Sequence, residues 1–466
     1  MKIKAPVLFC IALLLVAGCE KISVVSGDAV VLPTIRTTKI SPSPGSGLSA
    51  LATIQTLNAD LVAVEISADS VLLKTTPFYS AHSDSTIVPI LGLQANRSYT
   101  IRAVAISSSG SATTSAPLTY TTEPLPTGMP HISLLASQSP TVRYIMLGIT
   151  PAKEGKSYAV ILDETGSPVW FKEFRDAVVD FQKQPNGRYT AWSSTDGSPS
   201  HFYEFDNVGT ITAEYKASNG LGTDPHELRI RGDSYALFGL QSQSMDLTQS
   251  SGLSSAAVQG FIIEFHRPGL QQFFWSTFDH FGVTDATPDI SLNGETVDPW
   301  HGNAIEIDDD GNLLASFRNM DEITKINSQT GEIVWRWGGK HNQFTIRNDN
   351  LNGFSHQHAV RRLDNGDIIL FDDGNLHSPS LSRAAEYRLD EKAKTADLVW
   401  EYRPDPPLFG NALGFAQRLA NGNTLICFGT AQHIIEVDNT GKKRWEIAIT
   451  DSQRYAYRAI SIDSLY

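Results

Sequence analysis

Six polar residues of this chain stand at the ends of short apolar stretches: His226 in DPHELRI, His301 and Asn303 in DPWHGN, Arg318 in ASFRN, and His356 and His358 in SHQH. An imidazole with a pKa near 6.5 is largely neutral at pH 7 and can attack an electrophile, or carry a proton once charged. Arg318 adds a permanent cation with a planar fork, and Asn303 a neutral amide donor. Such a set suits an anionic group in transfer better than a metal ion. Three histidines can hold zinc, but a guanidinium beside them opposes a second cation.

The residue singled out as the reacting one is His358, because of the stretch that carries it. Residues 354–375 read FSHQHAVRRLDNGDIILFDDGN. The spacing predicts a short strand over 359–363, a turn at Asp364, Asn365 and Gly366, and an apolar return strand over 367–372. His358 then sits at the mouth of a strand pair. The same template recurs as WHGNAIEIDDDGNLLASFRN over residues 300–319. Counting back from the turn glycines, Gly366 and Gly311, places Asn303 in the slot of His358. The acids Asp308 to Asp310 and Asp372 to Asp373 fall at predicted strand turns, where aspartate is expected for its turn chemistry.

These hairpins belong to a longer repeat. An apolar strand, an Asp or similar residue, a glycine and a closing aromatic recur six times, ending at Trp170, Tyr215, Trp275, Trp335, Trp400 and Trp445. Spacings of 45 to 65 residues suit one four-stranded unit each. The fold expected is all-β, a six-bladed β-propeller over residues 127–466 preceded by a small β-sandwich. Five inner hairpins match the six signatures, and the first repeat lacks its own. The C-terminal YAYRAISIDSLY, an apolar-alternating stretch without a repeat, is expected to return to the first blade and close the ring. Closure would bring polar residues at the inner strand starts to one channel.

Upstream, residues 1–18 carry Lys2 and Lys4, then an apolar run too short to span a bilayer, then Val16, Ala17 and Gly18 before Cys19. This resembles a bacterial lipoprotein signal, which implies lipidation of Cys19 and an envelope protein anchored at a membrane, facing periplasm or surface. With Cys10 removed and Cys19 acylated, Cys427 is the only thiol left, so no intrachain disulfide is possible. Residues 19–45, rich in Ser, Pro and Gly, read as an extended tether, and 46–123 as short alternating strands. The stretch 93–99, ending in Tyr99, resembles the tyrosine corner of a fibronectin type III domain. The formal charge is −13 with a pI near 5.4, which excludes a nucleic-acid partner.

Over residues 127–466 the sequence resembles the bacterial arylsulfate sulfotransferases, on the strength of WHGN with Arg318, Gln357-His358, the PHE at His226 and the terminal YRAISIDSLY. The resemblance implies transfer of a sulfuryl group from a phenolic sulfate to a phenol with no nucleotide donor or other cofactor. It makes His358 the nucleophile of a sulfohistidine intermediate. It makes His226, His301, Asn303 and Arg318 the groups that hold the sulfuryl oxygens, with His226 or His301 able to protonate the leaving phenol. His356 and Gln357, beside the nucleophile, are candidates for substrate binding. The chain departs from that family in lacking a disulfide near the site, and dimerisation stays open. The alternative is a lipid-anchored propeller that only binds or adheres. A pure scaffold would have no need for the convergent His, His, Asn, Arg and His set.

Overall fold

The computed structural model describes residues 32–151, 155–194, 199–451 and 453–466. The signal stretch and Cys19 lie outside the described residues. Period-two patterning and β-branched residues dominate the sequence, and the described chain is accordingly all-β, with a four-residue turn, Thr248–Ser251, as its one α-helix. Among the described residues no helix is long and apolar enough to cross a membrane.

From residue 132 onward the strands form six sheets. The first joins Arg454–Ile462, Tyr144–Pro151, Ser157–Asp163 and Pro168–Phe174, and the second Val179–Lys183, Tyr189–Ser193, His201–Phe205 and Ile211–Tyr215. The third runs Gly222–Arg231, Ser234–Leu247, Leu253–His266 and Phe273–Ser276, with Thr296–Val297 beside Leu253–His266. The fourth runs Gly302–Ile307, Leu313–Phe317, Glu322–Ile326 and Ile333–Gly338. The fifth starts at His358–Arg362 and continues through Ile368–Asp372, Arg383–Asp390 and Thr395–Tyr402 to Thr345–Arg347. The sixth starts at Phe415–Arg418 and passes through Thr424–Cys427, His433–Val437 and Lys443–Ile449 to Ile132–Ser137.

First strands of successive sheets are neighbours: Val179–Lys183 meets Gly222–Arg231, then Gly302–Ile307, His358–Arg362, Phe415–Arg418 and Arg454–Ile462 follow, and the last meets Val179–Lys183 again. The C-terminal strand therefore fills the place that the first repeat leaves empty, pairing Leu147 with Ala459 and Ile149 with Ala456. A second closure was not legible: Ile132–Ser137 pairs with Lys443–Ile449, joining the start of this region to its end. It precedes the first repeat signature and shares none of its features.

Three of the repeated aromatics share one bond, which Trp335 does not make among the described residues. Trp170 donates its indole N–H to the Asn207 carbonyl at 2.9 Å, Trp275 to Gly331 at 3.0 Å and Trp445 to Glu164 at 2.7 Å, each a turn of the next sheet round the cycle. Burying a tryptophan removes roughly 200 Å² from water, worth about 5 kcal/mol, and an unpaired indole N–H would give back about 1–3 kcal/mol of that. A turn carbonyl at that spot keeps the gain.

Residues 34–121 form two further sheets. Thr34–Pro42, Ala50–Leu57 and Thr86–Ile90 make one, and Leu61–Ala68 with Ser98–Ile106 centre the other. Ala52, Ile54, Val62, Val64, Val88 and Ile101 share one core between them. The Tyr99 hydroxyl accepts the Gln94 backbone N–H at 2.8 Å. The tether reading of residues 19–45 is corrected for its second half: Thr34–Pro42 pairs along its length with Ala50–Leu57, from Thr34 opposite Leu57 to Pro42 opposite Ala50. Alternation with Ile35 and Ile40 toward the core outweighs the Ser and Pro content. The turn that follows is docked, since Ser46 Oγ donates to Val208 O at 3.0 Å and Gly47 bridges Phe171. A Cβ at Gly47 would lie 2.2 Å from the Phe171 ring.

Candidate functional site

Each histidine is aimed by a carboxylate that precedes it or faces it across a hairpin. In D-P-H, Asp224 Oδ1 accepts both the His226 backbone N–H at 2.9 Å and ring Nδ1 at 2.8 Å. In D-P-W-H, Asp298 does the same for His301, at 3.0 Å to the backbone and 2.6 Å to Nδ1. The two rings then meet edge to face with centroids 4.9 Å apart. His358 opens its strand opposite Phe371, which places the residue after the return strand, Asp373, within reach: its Oδ2 lies 3.0 Å from His358 Nδ1.

The backbone is bent to make this possible. The ladder slips between His358 and Arg361 in the fifth sheet and between Gly302 and Ala304 in the fourth, the two positions that the repeat template aligns. His301 (φ 48), His356 (φ 55) and Ala359 (φ 57) are non-glycine residues in the left-handed region. Such conformations cost roughly 1 kcal/mol or more each and gather where side chains must be re-aimed.

Electrostatics separate the histidines. Burial alone would lower His226, but the Asp224 carboxylate on its ring and the Asp298 charge outweigh it, so its pKa lies above the ordinary histidine value. His358 moves the other way: burial, and then Arg318, His226, His301 and Arg458, hold it well below that value, so it is neutral at pH 7. Burial pushes Asp373 well above the usual carboxyl range, with Arg318 pulling it back. The Arg318 Nε stands 3.8 Å from the same Oδ2 that meets the imidazole. Arg318 favours the ionised form of that carboxyl, and in that form the oxygen accepts the Nδ1 proton of neutral His358 and leaves the lone pair on Nε2.

The structure brings His226, His301, Arg318 and His358 to one place, and gives the other candidates different work. Arg318 spends Nη1 on Asn319 Oδ1 and Nη2 on the Asn411 carbonyl, both at 2.9 Å, and remains partly exposed. Asn303 is fully buried. Its Nδ2 donates to the Gln357 carbonyl at 2.8 Å, the backbone oxygen next to His358, while its Oδ1 has no partner among the described residues. The Gln357 amide is likewise internal, donating to Ser316 Oγ and Glu322 O, both at 3.0 Å. His356 is buried between Asp321, 3.2 Å from Nδ1, and Asp289, 3.1 Å from Nε2, a poor setting for an anionic substrate.

Several residues escaped the sequence reading. Asp224 and Asp298 were visible in the Asp-Pro that precedes each histidine. Asp372 and Asp373 were read as turn acids, and the structure corrects this: both are fully buried. Asp372 accepts the Arg383 Nε and the His377 Nε2 at 2.9 Å, and Asp373 holds His358. Asp308 does flank a turn, but is also paired with Arg362 and Lys325. Tyr457 and Arg458 open the terminal YRAISIDSLY motif, but no role was assigned to them, because their strand has no repeat to align. Among the described residues no group of three or more His, Cys, Asp or Glu is placed to hold a metal ion.

The arylsulfotransferase (ASST) family model matches residues 131–458, which includes the first strands of five of the six sheets and the start of Arg454–Ile462. The chain belongs to the arylsulfotransferase family. Within that family, arylsulfate sulfotransferase AssT of Escherichia coli O6:H1 is 22% identical over 329 residues, 56% of this chain and 54% of its own, so the chain spans about half the length of the curated relative it matches. Likeness to solved structures is remote. A protein of unknown function from Bacteroides caccae is 13% identical with a TM-score of 0.37, covering 70% of this arylsulfotransferase-family chain and all of its own (100%). Virginiamycin B lyase from Staphylococcus aureus is 11% identical with a TM-score of 0.33, covering 86% and 99%.

Proposed function

We propose that this chain moves a sulfuryl group from a phenolic sulfate ester to a phenol through a sulfohistidine at His358, without a nucleotide or a metal. The observation that carries the reading is the opposite displacement of two neighbouring histidines, His358 held neutral and His226 held toward its charged form. Environments that push two titratable groups apart assign nucleophile and acid. His358 Nε2 attacks sulfur, and the S–O(aryl) bond breaks with its electron pair left on oxygen. His226 gives that oxygen its proton. In the second half, the acceptor phenol attacks sulfur, the N–S bond breaks, and the phenolic proton goes to the now neutral His226.

Arg318 and His301 face the negative oxygens of the trigonal sulfuryl group, where a fixed donor contributes about a hundred- to a thousandfold in rate. Asn303 acts on the nucleophile's backbone rather than on the substrate. The scaffold we infer is a six-bladed propeller, each of the six sheets a blade, with residues 34–121 as a fibronectin type III-like sandwich. Initial rates with an aryl sulfate and a phenol varied together should give the parallel lines of ping-pong kinetics, unchanged after dialysis against a chelator. Intersecting lines, or activity that returns only with added metal, would turn the reading down.

The pH profile follows from the same pair. The nucleophile limb is lost as pH falls through the lowered His358 value, below 6.5, and the acid limb as pH rises through the raised His226 value, above 6.5. Activity should therefore hold a plateau that brackets pH 6.5. His226→Gln should remove the alkaline limb and leave the acid one; loss of the acid limb instead would reverse the two roles.

A further inference from the structure

The last strand of the chain reaches the back of His226. Tyr457 Oη donates to the His226 carbonyl at 3.0 Å, and Arg458 Nη2 donates to the same oxygen at 3.0 Å. Arg458 also grips the next residue, Glu227, through Nη1 at 2.9 Å and Nη2 at 2.8 Å, and reaches Asp180 of the second sheet at 2.5 Å. Both oxygens of the Glu227 carboxylate also accept from Arg361 Nη2, at 3.0 and 2.9 Å. Arg361 stands three residues after His358 on the same strand. Tyr457, Arg458, Glu227, Asp180 and Arg361 are all buried, and none is assigned to the sulfuryl group in the reading above.

We propose that Tyr457 and Arg458 are positioning residues that set where the His226 imidazole delivers its proton. The inference rests on His226 being the acid of the proposed transfer. Proton donation to an ester oxygen needs the donor placed to within about 0.5 Å. Asp224 fixes the rotation of the ring through Nδ1, which leaves the other ring nitrogen for the substrate. The ring still moves with its backbone, whose N–H is held by Asp224 and whose carbonyl accepts from Tyr457 and Arg458 of the closing strand. Glu227, shared by Arg458 and Arg361, ties that backbone to the strand of His358, so nucleophile and acid keep one separation. The strand that completes the first sheet thus completes the acid as well.

The test uses the full chain with two esters, 4-nitrophenyl sulfate, whose phenolate leaves unaided, and phenyl sulfate, whose oxygen needs the proton. Phenol release is followed in a single turnover, to isolate the donor half-reaction. Tyr457→Phe keeps the ring and removes only the hydroxyl. It should slow phenyl sulfate by about tenfold to a hundredfold and 4-nitrophenyl sulfate by less than about threefold, because general acid catalysis is worth about a hundredfold or more only where the leaving group demands it. Arg458→Lys should show the same inequality. An equal loss on both esters would make these residues supports of the fold, and no loss on phenyl sulfate would remove the positioning role; either result overturns the proposal. No phenol from either ester with the unaltered chain would instead take down the sulfotransferase reading, and this inference with it.

Discussion

His358→Ala is expected to abolish phenol release, with a loss of about ten-thousandfold or more in kcat, since removing a nucleophile leaves only what the donors and binding can do alone. The side chain is buried and, among the described residues, hydrogen-bonded to Asp373 alone, so its loss opens space beside a carboxyl that Arg318 still faces. Folding should survive, as judged by the thermal transition and by the indole fluorescence of Trp335 and Trp337 in the adjoining core. His301→Ala and Arg318→Ala should lose about a hundred- to a thousandfold and still form product. If the alanine variant at 358 kept turnover within tenfold of the unaltered chain, the nucleophile would have to be sought among the other histidines.

The second large effect is expected from Asp373→Asn. In its ionised form the carboxyl accepts the Nδ1 proton of neutral His358 and so keeps the lone pair on Nε2. An amide nitrogen at that place donates, which drives the ring to the tautomer with its proton on Nε2 and no lone pair to attack with. A loss of about a thousandfold or more in kcat, with KM little changed, is the signature of a wrong tautomer in a correctly built site. Asp373→Glu, which keeps an acceptor but moves it, should recover part of the rate. A loss confined to KM would show that Asp373 serves substrate binding through Arg318 instead.

The candidate histidines were legible because they ride on a repeat. Once the turn glycines Gly311 and Gly366 are aligned, Asn303 and His358 fall in one slot, and the structure gives both the same slipped ladder. The roles within that slot were less legible. Asn303 looked like a donor to substrate, whereas its amide is spent on the backbone beside His358, a matter of side-chain direction that spacing does not encode. Asp373 was misread because an aspartate after a strand has an ordinary explanation in turn chemistry, and only the cross-strand register reveals what it faces. Tyr457 and Arg458 lie on a strand that completes the sheet of residues 144–174, hundreds of positions earlier, so no local pattern could place them over His226. The strand Thr34–Pro42 was hidden by its neighbours: the SPSPGSG run next to it forms the turn to Ala50–Leu57, and its composition masked the alternation before it.

The central claim is that sulfur is bonded to His358 between the two half-reactions. The most direct measurement is brief incubation of the full chain with 4-nitrophenyl sulfate in the absence of acceptor, followed by digestion and peptide mass spectrometry kept out of acid, because an N–S bond to imidazole is acid-labile. The account predicts the added sulfuryl mass on the peptide that contains His358, its disappearance on addition of a phenol, and its absence from His358→Ala. The mass on a peptide containing His226 or His301, or phenol release with no labelled peptide at any time, would contradict it.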